Sequence, residues 1–589
     1  MLPSVQSRSV PTAAPPDLVT FRIMINGKDM TNNYRVVSIH THKEVNRVGS
    51  AELVLVDGDI AKEDFKLSNK EELAPGKKLE IKAGYHTKDE TIFKGIIVRH
   101  GIRILPDEGT FLNITLKHEA FVMATHRKSA VFADKKDSEI IEDILQKAGI
   151  QKDVATSSVT HRQMVQYNCS DWDFINMRAE QSGMFVVTDD EKVLVKKPSF
   201  TGEPALSLFF GSSIMEFDGE IDGEDVYSAT KANSWDPAEQ KNNNGEPNVS
   251  GLTELGNLSG DDIASKLKNK ENNRYHGGTL KENELTAWAN AIEIRNKLSK
   301  IRGYAKCTGF HKIKPGDVLK LNKTGDRFSG KAFVWAVKHE IDNGLWETTL
   351  QFGYDPRPYA EYYTNITAPP AEGLLPAVNG LQTGIVSKLQ DDPESEFRVL
   401  LKLPSAAENE DAVWARVATL DAGKERGSFF RPEIGDEVIV GFLDADPRHA
   451  VILGCVHSSK LAAPLTPDDK NHEKGFFTRE KMKLLFNDEK KSIVIETPKG
   501  NKITISEDEK GITVEDENKN RIQMNDKGVE INSAKDIVMK AGSGKISITA
   551  GKDIEIKSSG GKLNADGATG VKVNSSATTE IKGSMVNIN

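Results

Sequence analysis

From residue 491 to the end of the chain, aliphatic side chains come in doublets with one residue between them. The series runs Ile493/Ile495, Ile503/Ile505, Ile512/Val514, Ile522/Met524, Val529/Ile531 and Ile537/Met539. It continues as Ile546/Ile548, Ile554/Ile556, Val571/Val573 and Val586/Ile588, with single apolar rungs at Leu563 and Ile581. Residues at i and i+2 share one face of a strand. The steps between doublets are mostly seven to ten residues and are filled with Gly, Asn, Asp, Ser and Lys, the residues of tight turns. The pattern predicts a repeat of very short strands and turns, a β-solenoid.

Each rung offers only about two core side chains, and no aromatic residue follows Phe486. A single-chain solenoid needs around 20 residues per coil to enclose a core, so rungs of this size cannot close on themselves. Three intertwined chains, each forming one side of a triangular prism, can close: the aliphatics of the three copies then meet on the axis. The expected axis residues are Ile537, Ile546, Ile548, Ile554, Ile556, Val571 and Val573. Two other readings stand beside this one, a disordered polar tail and the strands of an ordinary sandwich.

Upstream, a proline-rich arm occupies residues 1–16 (Pro3, Pro11, Pro15, Pro16). Alternating strands are expected at 20–25, 36–40, 51–56, 79–83, 91–99 and 110–117. Asp137 is positioned to cap a helix carrying Ile140, Ile141, Ile144 and Leu145 that stops at Gly149. Ser170 with Asp173 resembles a capping box opening a second helix that stops at Gly183. Strands return at 184–187 and 193–197. A polar loop is expected around Asn242–Asn244, then a helix near 261–268 and a longer one over 282–299, whose apolar face is Leu285, Trp288, Ile292 and Leu298. Strands at 305–310, 318–321, 332–341 and 346–352 end this region. A linker at 365–375 (Pro369, Pro370) precedes a unit of five strands at 380–389, 398–403, 413–420, 437–443 and 449–455, the make-up of an OB-type barrel. Thus the expected divisions are a β-rich region with helical insertions at 17–364, a barrel at 376–458, a connector at 459–490 and the repeat at 491–589. The fold class is mainly β with some helices.

The chain has 589 residues, with 78 Lys and Arg against 87 Asp and Glu, a formal net charge of -9. An acidic balance gives nucleic-acid binding no electrostatic support. Cys169, Cys307 and Cys455 are far apart and form no metal or redox spacing. No stretch reaches the ~18–20 apolar residues of a membrane span, and the N-terminus lacks the basic and apolar regions of a secretion signal. Manufacture in the cytoplasm is expected, with any exit by another route.

The barrel region reads Trp414-Ala415-Arg416-Val417, then Pro432-Glu433-Ile434-Gly435-Asp436-Glu437-Val438-Ile439-Val440-Gly441, then Asp444-Ala445-Asp446-Pro447. This resembles the oligosaccharide-binding-fold barrel of VgrG spike proteins and phage baseplate spikes. The segment Asp171-Trp172-Asp173-Phe174 with Arg178, Glu180 and Gly183, and Lys314-Pro315-Gly316-Asp317-Val318 with His339 and 346–350, resembles the hub of VgrG and phage late-control D proteins. The resemblance implies phage hub-type β-barrels, an OB-fold barrel and an intertwined trimeric β-helix at the tip of a contractile injection system. It implies a homotrimer that docks under a sixfold inner tube of Hcp-like protein, sits among baseplate proteins, and carries a PAAR-type tip protein and effector cargo. The chain would be expelled on contraction to meet a target membrane. Two departures are expected: 459–490 is too short for the lysozyme domain of some phage spikes, and no histidine follows His472 to hold a metal near the point. No effector domain is expected after Asn589.

Chemical motifs are sparse. His40 and His42 share a strand face without an evident third ligand. Ser543-Gly544-Lys545 fails the phosphate-loop pattern. Asp171, Asp173 and Glu180 read as a capped helix with Arg178 ion pairing rather than as paired catalytic acids. Asp436/Glu437 and Asp444/Asp446 lie beside turns. Neither G-x-S-x-G nor H-E-x-x-H occurs. No catalytic residue, metal site or cofactor is expected, and no nucleic-acid partner. The reading is a structural spike, with a spike-borne cell-wall or glycan hydrolase and a receptor-binding fibre as the alternatives.

Overall fold

The computed structural model describes residues 18–269, 271–405 and 412–588; the arm expected at 1–16 lies outside them. It has two compact units. One runs to Gln382 and adds Gln390–Ala418 and Val440–Leu453; the other holds Thr383–Leu389, Thr419–Ile439 and the residues from Gly454 onward.

The hub is a thirteen-stranded sheet. Its first half is antiparallel from Val36–Glu44 through Ser50–Val56, Gly109–Lys117, Lys88–Leu105 and Lys78–Tyr85 to Val19–Ile25. Its second half runs from Gly330–Asp342 through Leu345–Phe352 and Ile301–Thr308 to Glu216–Ile221. The halves join in one hydrogen-bonded sheet, because Val36–Glu44 pairs directly with Gly330–Asp342, Thr41 opposite His339 and Ile39 opposite Ile341. Each half still wraps its own apolar core. One is built around Ile23, Ile39, Leu53, Ile81 and Ile114, the other around Leu208, Ala305, Leu319, Val334 and Leu350. Alternation creates these cores: in Lys78–Tyr85, Leu79, Ile81 and Ala83 turn inward and the residues between them do not.

A third core joins the helices Asp137–Lys147 and Asp171–Gln181 through Ile140, Ile144, Trp172 and Ile175. The 18-residue helix Glu282–Ser299 lies on a small sheet, where Leu285 and Ala289 meet Ala232. Asn242–Asn244, expected to be a loop, is part of that sheet: Lys241–Gly245 pairs with Ala229–Asp236, Asn244 opposite Asn233. The partner strand overrides the turn preference of asparagine.

Five strands, Gln382–Lys388, Val399–Lys402, Val413–Val417, Ala450–Cys455 and Glu437–Phe442, close the expected barrel. Val386, Leu401, Ala415, Val440 and Ile452 are buried. Beyond it, seven strands form an antiparallel meander from Glu473–Phe477 to Gly528–Asn532. No strand is assigned among the described residues after Asn532.

Candidate functional site

The meander turns the doublets of the sequence into a surface. Directly opposed residues of an antiparallel pair share a face, and the register lines the doublets up strand after strand. One row reads Phe486, Ile493, Ile505, Ile512, Met524 and Val529. The next reads Phe476, Leu484, Ile495, Ile503, Val514, Ile522 and Ile531. The opposite face is mainly polar, although Leu485 and Val494 share it: Thr504 pairs with Thr513, and Lys502 with Glu496 and Glu515. Among the described residues the apolar face is left largely open below Phe476, on which Phe430 stacks. Ile503 is 40% exposed, Ile505 47% and Ile495 50%. Finishing the burial of a half-exposed aliphatic side chain contributes on the order of 1 kcal/mol, so two rows leave a large driving force for association.

Two features of the sheet bear on the intertwined repeat expected over 491–589. The sheet begins at Glu473, inside the stretch read as a connector. Its strands through Asn532 bond to one another within the chain, because each turn is short enough to bring the next strand back antiparallel. Only beyond Asn532 does the doublet pattern run on without an intrachain ladder. Every expected axis residue lies there: Ile537, Ile546, Ile548, Ile554, Ile556, Val571 and Val573 are all exposed.

The barrel residues that carry the resemblance organise turns. Trp414 and Arg416 sit in Val413–Val417, opposite Leu400 and Val451. Gly435 takes φ +94° in the turn before Glu437–Phe442, a conformation that favours glycine, and its N–H donates to Val386 O at 2.8 Å. The Asp436 carboxylate accepts from Glu433 N at 2.8 Å, and Glu437 O accepts from Val456 N at 3.1 Å. Asp446, followed by Pro447, grips Arg448 through both oxygens (2.6 and 3.0 Å), and that hydrogen bonding holds its carboxyl down at about 2. The Asp436 and Asp446 carboxylates are thus taken up by bonds within their own turns.

In the hub, Asp171 pairs with Lys128 at 2.6 Å and accepts from Gln166 at 3.0 Å. Trp172 and Phe174 are core residues, Phe174 stacking on Phe132 with ring centroids 6.0 Å apart. Ser170 caps the helix by accepting from Asp173 N at 3.0 Å, and Gly183 ends it at φ +68°. Arg178 pairs with none of the carboxylates on its own helix. It donates to Asp137 at 2.7 Å, and Asp137 also accepts from Ser182 Oγ (3.0 Å) and His161 Nε2 (3.2 Å). Asp137 is therefore the first helical residue and the hub of a buried cluster, not a cap; Glu139 accepts from Lys136 N at 2.8 Å instead. Burial opposes ionisation of Asp137, but His161 and Arg178 outweigh it and hold its carboxyl below the usual range.

Glu180 lies between Arg295, 2.6 Å away, and the backbone N–H of Tyr359. Burial pushes its carboxyl up and Arg295 pulls it only part of the way back. Replacing Arg295 with Leu is expected to destabilise the hub by roughly 3–5 kcal/mol, since a buried charge loses its partner; urea denaturation followed by tryptophan fluorescence reads the loss. Sequence spacing gave no sign of either cluster, because their members are up to 179 residues apart. His40 stays exposed while His42 turns to Glu44 at 3.3 Å. Among the described residues, no group of three or more His, Cys, Asp or Glu is arranged to hold a metal ion.

The described residues thus hold a strand-built first region, a closed five-stranded barrel and a sheet with one largely open apolar face. Family profiles match all three parts. Residues 15–343 match the Alg8 N-terminal domain, 382–457 the type VI secretion system/phage-baseplate injector OB domain, and 492–589 the phage baseplate V C-terminal trimerisation domain. The chain belongs to the Alg8 N-terminal domain family, whose model covers more than half its length, and the two other matches place a phage-baseplate injector barrel and a trimerisation domain after it. Spike protein VgrG1c of Pseudomonas aeruginosa is 22% identical over 456 residues, 72% of this chain and 59% of that protein. VgrG4b of the same organism is 29% identical over 162 residues, 26% of this chain and 18% of that one. The chain thus matches less than two thirds of the length of these relatives. Among solved structures, the E. coli c3393 protein, a type VI secretion component, aligns with 74% of this chain and 100% of its own at 14% identity and TM-score 0.38.

Proposed function

We propose that this chain is the non-enzymatic central spike of a contractile injection system and works as a homotrimer. Residues 17–364 form its hub and 376–458 its barrel, and the needle starts with the strand at Glu473. The carrying observation is the double apolar row of the meander, left largely open within one chain and continued past Asn532 where the chain stops pairing with itself. The match of 492–589 to a trimerisation domain supports three copies as the cover. In the prism they make, apolar rows meet on the axis and polar faces meet water, and beyond Asn532 backbone groups bond between chains. No strand edge is then left to peel under axial load. The axis residues of the lower part are Ile537, Ile546, Ile548, Ile554, Ile556, Val571 and Val573.

The work is mechanical: contraction drives the point into a target membrane. An Hcp-like tube protein above the hub, baseplate proteins around it, a PAAR-type protein at the tip and effector cargo are the partners this reading calls for. Native mass spectrometry of the full-length protein tests it. The expected mass is three times 64.8 kDa; a monomer at micromolar concentration would sink the reading.

A further inference from the structure

The open face does not end where the matched trimerisation domain begins at residue 492. Phe486 and Leu484 extend both rows upward, and Phe476 heads the second of them. On Phe476 lies Phe430, from the barrel's long loop, stacked with ring centroids 5.7 Å apart and planes 19° apart. Arg479, in the turn that follows Glu473–Phe477, reaches Glu433 of that loop at 2.9 Å.

The loop is well held by its own bonds. Ser428 N donates to Asp421 O at 2.9 Å, Thr419 Oγ1 donates to Ser428 O at 2.8 Å, and Arg426 grips both oxygens of Asp421 at 2.8 and 2.9 Å. Yet its large apolar side chains point outward: Phe429 is 78% exposed, Phe430 68% and Ile434 64%. An ordered loop that holds two aromatic rings and an isoleucine in water calls for a cover.

We propose that Phe429, Phe430 and Ile434 form an aromatic collar of the trimer, covered by the loop and upper needle strands of a second copy. The argument is continuity. The collar is the top of the same apolar face whose lower part matches a trimerisation domain, and Phe430 joins it to that face through Phe476. A threefold arrangement places three such loops around the axis at the junction of barrel and needle. The collar locks the barrels to the needle so that axial force passes between them without slip. This inference rests on the trimeric reading above.

Thiol accessibility in the full-length protein tests it. Cys455 is exposed, whereas Cys169 and Cys307 are buried, so Cys455→Ser supplies the background. Phe429→Cys is made on it, with Lys424→Cys at the exposed hairpin tip as the reference, and both are labelled with a maleimide. In a protein of trimeric mass, Phe429→Cys is expected to react at least about 100-fold more slowly than Lys424→Cys, with reaction only through local opening. Equal rates in a trimer would overturn the collar and leave the trimeric needle intact. A monomeric Cys455→Ser background would overturn both. A second variant, Ile434→Ser, guards against misfolding at Phe429: it is expected to lower the melting temperature of trimer dissociation while leaving the barrel's own denaturation in place. An unchanged dissociation temperature would also count against the collar.

Discussion

Ile548→Asp is expected to abolish assembly of the lower needle. Under the intertwined arrangement the substitution places three carboxylates around one axis, at a level where each chain offers only Ile546 and Ile548 as core. Taking each ion out of water costs several kcal/mol, and like charges add to that. The loss of three isoleucines costs a further ~2–5 kcal/mol per chain by analogy with large-to-small core changes. The sum exceeds the 5–15 kcal/mol that holds a typical domain together. Lys552→Asp, at a polar gap position of the same coil, is expected to change stability by no more than ~0.5 kcal/mol. Ile503→Asp probes the upper storey, where strands already pair within the chain. It should weaken the trimer and leave each seven-stranded sheet formed, because hydrogen bonding there does not depend on the other copies. Native mass and melting curves for the three variants decide the matter. An Ile548→Asp trimer with unchanged melting would show the axis assignment to be wrong.

The needle was legible in the sequence because its period is short and its signal is repeated. Isoleucines at i and i+2 specify a face, and ten repetitions leave little room for chance. The same signal could not reveal that 473–532 is stitched within the chain while the rest is not, since both halves present identical doublets. That difference lies in which strand each turn returns to. The first two strands escaped notice because Phe476-Phe477 and Leu484-Leu485-Phe486 are continuous apolar runs, which hide the alternation. In the hub, strands with alternating cores such as Lys78–Tyr85 were plain. The pair Arg127–Lys136 and Thr160–Ser170 was not, because in the first only Phe132 is buried and neither strand has a clean apolar face. The ionic clusters were beyond reach for a different reason. A carboxylate at Asp137, a histidine 24 residues on and an arginine 41 residues on carry no local pattern; only the packing of two helices brings them together.

Acid is expected to loosen the hub as the pH falls below the ordinary histidine range. His118 and His339 are buried in it, and burial, reinforced by the charge of Lys43, pulls their titration down to about 4 and about 3. His339 bonds Thr348 Oγ1 at 3.0 Å and leans against Trp346, while His118 Nδ1 accepts from Ala120 N at 3.1 Å, so both rings are held as neutral groups. In the unfolded chain a histidine titrates near 6.5. Above that value both states carry neutral rings and the fold keeps its full stability. Below it, the unfolded chain takes up protons that the fold refuses, so stability falls with pH by about 1.4 kcal/mol per unit for each ring. Two rings give a loss of roughly 2–3 kcal/mol per pH unit between 6 and 5. Glu180 acts in the opposite sense, since burial raises its carboxyl and lets the fold bind a proton before the unfolded chain does. Asp137, held low by His161 and Arg178, adds its own loss only below about pH 4. Five of the six tryptophans lie in the hub, so fluorescence-detected urea midpoints at pH 7, 6 and 5 report this region. His118→Gln should reduce the slope by about half if it folds, and a midpoint independent of pH over that range would show that the two rings are not kept neutral by burial.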